Sequence, residues 1–407
     1  MIIYKYIYAM DTLLKVFSVQ EILALDAPSL STPAQKRTRD GFRRTEAGRV
    51  DKAQAPWQKM LDGARTGQNN IADARSRDGM YFRRRFRMPY SLFTGLVQVM
   101  LDENWFPKIG KNGSGPVDAS GRVGASLHVK VLSALRVIGR GVCFDECFDG
   151  SGCGEESIRI FFHDFTAIFA ERYQLCILTG PKTPAEVDTQ LAIYGRLGLP
   201  GAVASTDCTH IPLGKVSNKF KVLCTGKEGF PTMVYSVTCS HSRKIYYCSS
   251  GFYGTCNDKT ISRADAFITA VGSHPLFTDH EFEVKTSEST SKTLKGVYIL
   301  CDGGYHKWRH LLCGLKNTSS AAHSLWSCQM ESARKDIECV FGILKCRFQI
   351  LHKPIQYMDK TWEKYRSKVD NIMYCCCILH NMLLRIDGLE FLWTDKDVLS
   401  WHLEVSC

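Results

Sequence analysis

The stretch GVYILCDGGYHKWRHLLCGLKN (296–317), with ESARKDIECVFGILKCRF (331–348) after it, decides how the chain is read. Val297 to Cys301 is a short apolar run, the pattern of a buried strand. Asp302 stands at its end, and Gly303–Gly304 turn the chain at once. Downstream, Ile337, Val340, Phe341, Leu344 and Phe348 recur at helical spacing, with Glu338 beside their apolar stripe. Thirty-five residues lie between Asp302 and Glu338. A carboxylate at the end of a strand and one on a later helix can converge on a single metal site. Asp207 offers the third acid, because GAVASTDCTHIPL (201–213) runs apolar into Asp207 much as Val297–Cys301 runs into Asp302.

The flanks supply the rest of an α/β core. PTMVYSVTC (231–239) and KIYYCSSGFY (244–253) read as strands separated by a turn, and 261–271 reads as a helix. Residues 272–295 are polar and rich in Ser, Thr and Glu, which predicts a surface-loop insertion with little structure. Lys353–Pro354 breaks the Glu338 helix, and a last long helix runs from Lys360 to Leu384. Three strands, a helix, a strand and closing helices are the succession that an RNase H-like core requires. It sets two acids at the ends of adjacent central strands and the third on a later helix. The predicted nuclease-like domain spans 201–387, after a connector at 181–200, and 388–407 form a C-terminal tail without pattern.

Upstream, RDGMYFRRRFRMPYSLFTGLVQVMLDENW (77–105) sets Tyr81, Phe82 and Phe86 among Arg83, Arg84, Arg85 and Arg87. Pro89 opens a helix with Phe93, Leu96, Val97 and Met100 on one face. Further helices bury Leu127, Val131, Leu135 and Ile138, then Ile158, Phe161, Phe162, Phe165 and Phe169. Short helices joined by turns predict a small all-α, helix-turn-helix-like domain over 78–180, suited to DNA; the alternative is a helical domain that only packs on its neighbour. Residues 1–77 read as a mostly disordered basic extension. Its Lys36, Arg37, Arg39, Arg43 and Arg44 fit a nuclear-import signal or a phosphate-gripping arm, and equally a solvated tail.

The 407 residues suffice for two or three domains, and a net charge of +11 favours a polyanionic partner, most simply nucleic acid. The 18 cysteines lack the pattern of a secreted disulfide scaffold, so the thiols are expected reduced and mostly buried, in cytosol or nucleus. No segment reaches the roughly 18 consecutive apolar residues that a membrane span needs. His306 and His310, and Cys376 and His380, stand at helical i,i+4 spacing. The absence of a Cys-x-x-Cys pair argues against structural zinc and for buried thiols and satisfied histidines.

Several of these segments together resemble PIF/Harbinger-type transposases, the plant-transposon-protein branch of the DDE endonuclease superfamily. FRRRFRMPYSLFTGLV resembles the Arg-rich opening of the helical domain, GAVASTDCTHIPL the first-acid strand and SSGFYGTCNDKTIS the Gly-x-x-Asn-Asp segment. YILCDGGY is similar to the second-acid strand and turn, RKDIECVFGILKCRFQIL to the third-acid helix and CCCILHNML to the closing helix. The likeness covers roughly 78–387. Gly303–Gly304 depart from it, standing where a small residue and Gly are more usual. The resemblance implies Asp207, Asp302 and Glu338 as a metal-binding catalytic triad, with Asp258 a fourth acid nearby. It also implies a Myb-like accessory protein, action as a homo-oligomer and a nuclear location.

That chemistry suits these side chains. Two Mg²⁺ (or Mn²⁺) ions serve both ends of an in-line phosphodiester displacement, and such ions prefer carboxylate oxygens. Lys345 and Arg347, downstream of Glu338, are candidates for phosphate contact or plain solvated charges. Taken singly, each acid also has a structural explanation. An Asp at a strand end caps a turn, and Glu338 lies four residues after Arg334, the spacing of a helical ion pair. The expectation is a DDE-type nuclease and strand-transferase. The alternative is a domesticated, non-cutting DNA-binding or partner-recruiting protein.

Overall fold

In a computed structural model, which describes residues 52–117, 121, 123–285, 290–315, 320–356 and 361–389, the chain is mixed α/β and divides into two units, 52–173 and 174–389 of the described residues. The basic run from Lys36 to Arg44 and the tail beyond 389 lie outside the described residues.

The first unit is helical, and it starts upstream of the expected boundary at Asp78. In α1 (Pro56–Thr66), Trp57 and Leu61 sit one turn apart and are both buried. For residues 52–77, which the expectation had joined to a mostly disordered extension, the structure gives an ordered helix, because few apolar residues suffice when one is a tryptophan. The Trp57 ring meets Phe86 edge-on at 5.3 Å. Gly150 makes room for it: a Cβ there would fall 2.1 Å from the indole.

In α2 (Arg77–Phe86), Ser76 Oγ accepts the Gly79 N–H at 2.9 Å and fixes the first turn. Phe82 and Phe86 are buried, while Arg84 and Arg85 stay exposed. Arg87 ends the helix in the left-handed region at φ 65°, and its Nε reaches the Gly139 carbonyl at 3.4 Å. Three helices follow at the spacing read from the sequence: α3 (Tyr90–Asp102), α4 (Leu127–Arg140) and α5 (Glu155–Ile177). Down α5, the rings of Phe161, Phe165, Phe169 and Tyr173 follow one another at 5.0 to 6.1 Å. Such pairs add roughly 1 kcal/mol each beyond area burial.

The second unit carries α6 (Pro184–Arg196), β1 (Ala202–Pro212), β2 (Thr232–Cys239), β3 (Ile245–Cys248) and β4 (Phe252–Tyr253). After these come α7 (Asp258–Ala264), α8 (Ala266–Ser273), β5 (Glu281–Lys285), β6 (Ser291–Lys295), β7 (Tyr298–Leu300) and β8 (Leu311–Leu312). Two long helices, α9 (Ala321–Arg347) and α10 (Trp362–Ile386), close it. The sheet order is β3-β2-β1-β7-β8, with β4 also on β2. β1 runs antiparallel to β2 and parallel to β7.

Both faces of β1 are covered, which is why its first five residues are all buried. Val203 and Ile299 pack with Ile268 and Val271 of α8 on one side. Ala202 and Leu300 pack with Tyr194 of α6 and with Met330 and Ala333 of α9 on the other. The outer strand is tied down by a side chain: Asn381 of α10 accepts the Ile245 N–H at 2.9 Å and donates to its carbonyl at 2.8 Å. Pairing both backbone groups of an edge residue closes that stretch to another strand.

Residues 272–295 are not the unstructured loop expected from composition. β5 and β6 pair antiparallel, Glu281 with Lys295 through Lys285 with Ser291. The polar bias hid the alternation Glu–Phe–Glu–Val–Lys, in which Phe282 and Val284 share one face. Phe282 then meets the Tyr298 ring edge-on at 6.4 Å. Among the described residues, no helix is long and apolar enough to cross a membrane.

Candidate active site

Strand register sets two of the acids beside each other. Ser205 pairs with Leu300 across the parallel β1–β7 ladder. Two residues further on, each chain reaches its aspartate, Asp207 and Asp302. The period of two keeps Asp207 on the face of Ser205, and Asp302, just past the end of β7, comes near enough for its charge to act on Asp207. One detail differs from the sequence reading. Asp207 does not end its strand: β1 continues beside β2, with Asp207 opposite Val237. It is β7 that stops, and the gap it leaves is where Asp302 and the Gly303–Gly304 turn lie.

The Asp207 side chain is 21% exposed. Its Oδ1 accepts the Cys208 N–H at 2.8 Å, and its Oδ2 lies 3.2 Å from Arg334 Nη1. Burial pushes its carboxyl up from the ordinary 3.8 to about 6, and the nearby Asp302 and Asp258 charges act in the same direction. The Cys208 N–H and the Arg334 guanidinium oppose that rise without cancelling it. Beneath the site, Cys208 Sγ and the buried Tyr305 hydroxyl stand 3.4 Å apart.

Asp258 joins from the first turn of α7, where Asn257 Oδ1 accepts the Thr260 N–H at 2.9 Å. Asp302 Oδ1 accepts the Gly304 N–H at 2.8 Å. A Cβ on Gly304 would sit 3.0 Å from Asp258 Oδ2 and 3.0 Å from Asp302 Oδ1. The second glycine of the turn therefore leaves open the space between two carboxylates.

Glu338, 48% exposed on α9, reaches this group through Arg334. Arg334 Nη2 lies 2.8 Å from Glu338 Oε1, and its Nε lies 2.8 Å from Glu331 Oε2. One guanidinium, itself only 11% exposed, thus spans Asp207, Glu331 and Glu338. Burial disfavours its charge, but the three carboxylates outweigh burial and hold its pKa above the ordinary value. Arg334 is the residue that sequence reasoning undervalued. Its i,i+4 spacing to Glu338 was the signal; its reach to Asp207, 127 positions away, had none.

Of the other predicted residues, Lys345 is half-buried, and burial lowers its pKa against the opposing charge of Glu228. Arg347 is felt at His380, whose imidazole burial pushes down to about 4 with Arg347 adding to the effect. Arg83, Arg84, Arg85 and Arg87 belong to the helical unit. His306 Nε2 lies 3.1 Å from the Lys259 carbonyl and His380 Nε2 lies 2.9 Å from that of Arg243, while Cys376 is a buried free thiol.

Among the described residues, no group of three or more His, Cys, Asp or Glu side chains is arranged to hold a metal ion. The donor chemistry of Asp207, Asp258 and Asp302 nonetheless fits a hard divalent cation: all are carboxylates, and the desolvated Asp207 carries negative charge that a cation would relieve.

Comparison with known proteins identifies the family of the second unit. A family profile described as plant transposon protein matches residues 178–389, a span containing Asp207, Asp258, Asp302, Arg334 and Glu338. Three curated proteins, each titled "Putative nuclease HARBI1", are similar to the chain at 21% identity. The mouse protein aligns over 64% of this chain and 68% of its own length, and the human protein over 68% and 72%. No solved structure matches the chain.

Proposed function

Because the chain belongs to the plant transposon protein family and is related to Harbinger-type transposases, we propose that it is a DDE-type transposase or endonuclease, cleaving phosphodiester bonds at transposon DNA ends and joining them to target DNA. The observation that carries this reading is the approach of Asp302 and Asp258 to Asp207, whose carboxyl feels both charges, with Glu338 tied in through Arg334. The sheet order β3-β2-β1-β7-β8, with β7 parallel to β1, supports an RNase H-like core. The helical unit is read as the helix-turn-helix-like part that grips DNA.

Asp207, Asp302 and Glu338, with Asp258, would hold two Mg²⁺ or Mn²⁺ ions. Such ions, when bound, polarise the scissile phosphate and lower the pKa of an attacking water. The residues themselves prepare the site. Arg334 orients Asp207 and Glu338 and offsets their charge. The covered sheet keeps Asp207 poorly hydrated, which strengthens its attraction for any cation. Gly304 leaves the approach to Asp258 and Asp302 open. A nuclear location, assembly as a homo-oligomer and a Myb-like accessory protein belong to the same reading.

The test compares wild type with Asp302→Asn on supercoiled plasmid with Mg²⁺ or Mn²⁺, scoring open circles for nicking and gel shift for binding. Wild type is expected to nick, the variant to lose nicking, and both to bind equally. A variant that nicks at the wild-type rate sinks the assignment of the acids. One observation favours a second reading, a domesticated non-cutting DNA-binding protein: the Arg334 guanidinium lies between Asp207 and Glu338. Binding without nicking by wild type, even with the accessory protein present, would select that reading.

A further inference from the structure

The helical unit contains a cleft of about 470 Å³ between α2 and α4. Arg84 and Arg85 line it from α2, Arg136 and Arg140 from α4, and Tyr81 and Phe82 contribute to its wall. Arg136 and Arg140 are one helical turn apart, so both project to the same side. Among the described residues, none of the four guanidinium groups has a carboxylate ion pair or a side-chain hydrogen bond. Asp78, an acid in the lining, already accepts the Asn70 N–H at 3.0 Å.

Arginine does not shed its proton, so this concave surface, with four guanidinium groups against the single Asp78 carboxylate in its lining, keeps a net positive charge. Burial lowers the pKa of Arg136, and Arg85 and Arg140 lower it further; Glu146 offsets only part. Like charges gathered in a cleft favour an anion, and planar guanidinium forks grip phosphate oxygens in pairs. The volume exceeds what a bare phosphate fills and falls within the roughly 300–1,000 Å³ of small-molecule sites. Tyr81 is 54% exposed, with the Arg77 guanidinium over its ring at 5.5 Å, so a base would stack on the opposite face or displace that exposed cation.

We infer that this cleft binds one nucleotide, with its phosphate on Arg84, Arg85, Arg136 and Arg140 and its base against Tyr81. The site stands on the helical unit alone. Its natural occupant, an unstacked nucleotide of a DNA strand, rests on the function proposed above; a free nucleotide has the same chemistry.

The full chain is titrated calorimetrically with dAMP at low salt, alongside inorganic phosphate. The double variant Arg136→Gln/Arg140→Gln is compared with the charge-matched control Lys59→Gln/Lys108→Gln, which removes two exposed lysines outside the cleft. Two charge-assisted contacts are removed, so the cleft variant should bind dAMP on the order of a hundredfold more weakly, with the control unchanged. Neither cleft arginine has an internal ion pair to lose, so the variant should melt no lower than wild type. Equal losses in variant and control overturn the site. Phosphate binding as tightly as dAMP overturns the nucleotide assignment, and no binding of either overturns the whole inference. A 5′-phosphorylated single-stranded oligonucleotide should displace dAMP; failure to do so rejects DNA as the source. These are binding measurements, so loss of plasmid nicking by wild type leaves them unaffected.

Discussion

Asp207→Asn isolates the energetic cost of the proposed site. The wild-type carboxyl titrates near pH 6 in the fold against an ordinary 3.8. A folded-state pKa raised in this way means that the native protein binds the proton more tightly than the unfolded chain does. Stability is therefore greatest below the unfolded value, falls as pH rises between about 4 and 6, and is flat above. Raising a carboxyl from 3.8 to about 6 costs the ionised form at most about 3 kcal/mol. The pairing with Arg334 is already included in that value, so the neutral amide is expected to gain up to about 3 kcal/mol. Urea denaturation of both proteins at pH 4, 5, 6 and 7.5 reads this directly. The stability difference should be near zero at pH 4, grow through pH 6 and favour the variant at pH 7.5. A difference that stays constant with pH, or a variant that is weaker at pH 7.5, would refute the reasoning. The first would mean that Asp207 titrates normally, the second that the ion pair outweighs burial. Mg²⁺ should reverse the order by stabilising wild type more than the variant.

Arg334→Met should cost about 2–4 kcal/mol at pH 7.5, because it strands the poorly exposed Asp207 while releasing the more exposed Glu331 and Glu338 cheaply; thermal unfolding measures this, and a loss below about 1 kcal/mol would show the pairing to be incidental. Gly304→Ala should fold normally yet lose Mg²⁺-dependent stabilisation, since its Cβ would stand 3.0 Å from oxygens of Asp258 and Asp302. Unchanged Mg²⁺ stabilisation in that variant would place any cation elsewhere.

What was legible in the sequence follows from how local each signal is. The runs before Asp207 and Asp302 and the helical stripe around Glu338 are short-range patterns, and β1, β7 and α9 carry them. The helices with Phe93, Val131 and Phe165 were readable for the same reason. The hairpin of β5 and β6 was missed because its apolar positions number so few, and α1 because Trp57 and Leu61 are two isolated apolar positions next to a long polar stretch. Arg334 contacting Asp207 was beyond reach: helical spacing reveals its partner at Glu338 but not one across the sheet. Arg136 and Arg140 were hidden differently, as polar positions of an amphipathic helix that acquire meaning only when α2 lies beside them.

The placement of β1 also dictates the order in which the protein can be built during synthesis. Its partner β2 follows closely, with Pro212 joined to Thr232, so the antiparallel side can zip while the chain is still emerging. The opposite edge waits for β7, whose Leu300 meets Ser205 only after a further 61 residues beyond Cys239. At about 5–20 residues per second, that edge of a strand destined for the middle of the sheet stands unpaired for several seconds. During this interval it can recruit a neighbouring nascent chain. The acids inherit the same schedule: Asp207 is made early, and it has no Asp302, Arg334 or Glu338 beside it until the last third of the chain has been translated. Ribosome stalling between β2 and β7 should therefore yield sticky fragments that carry Asp207 without its partners.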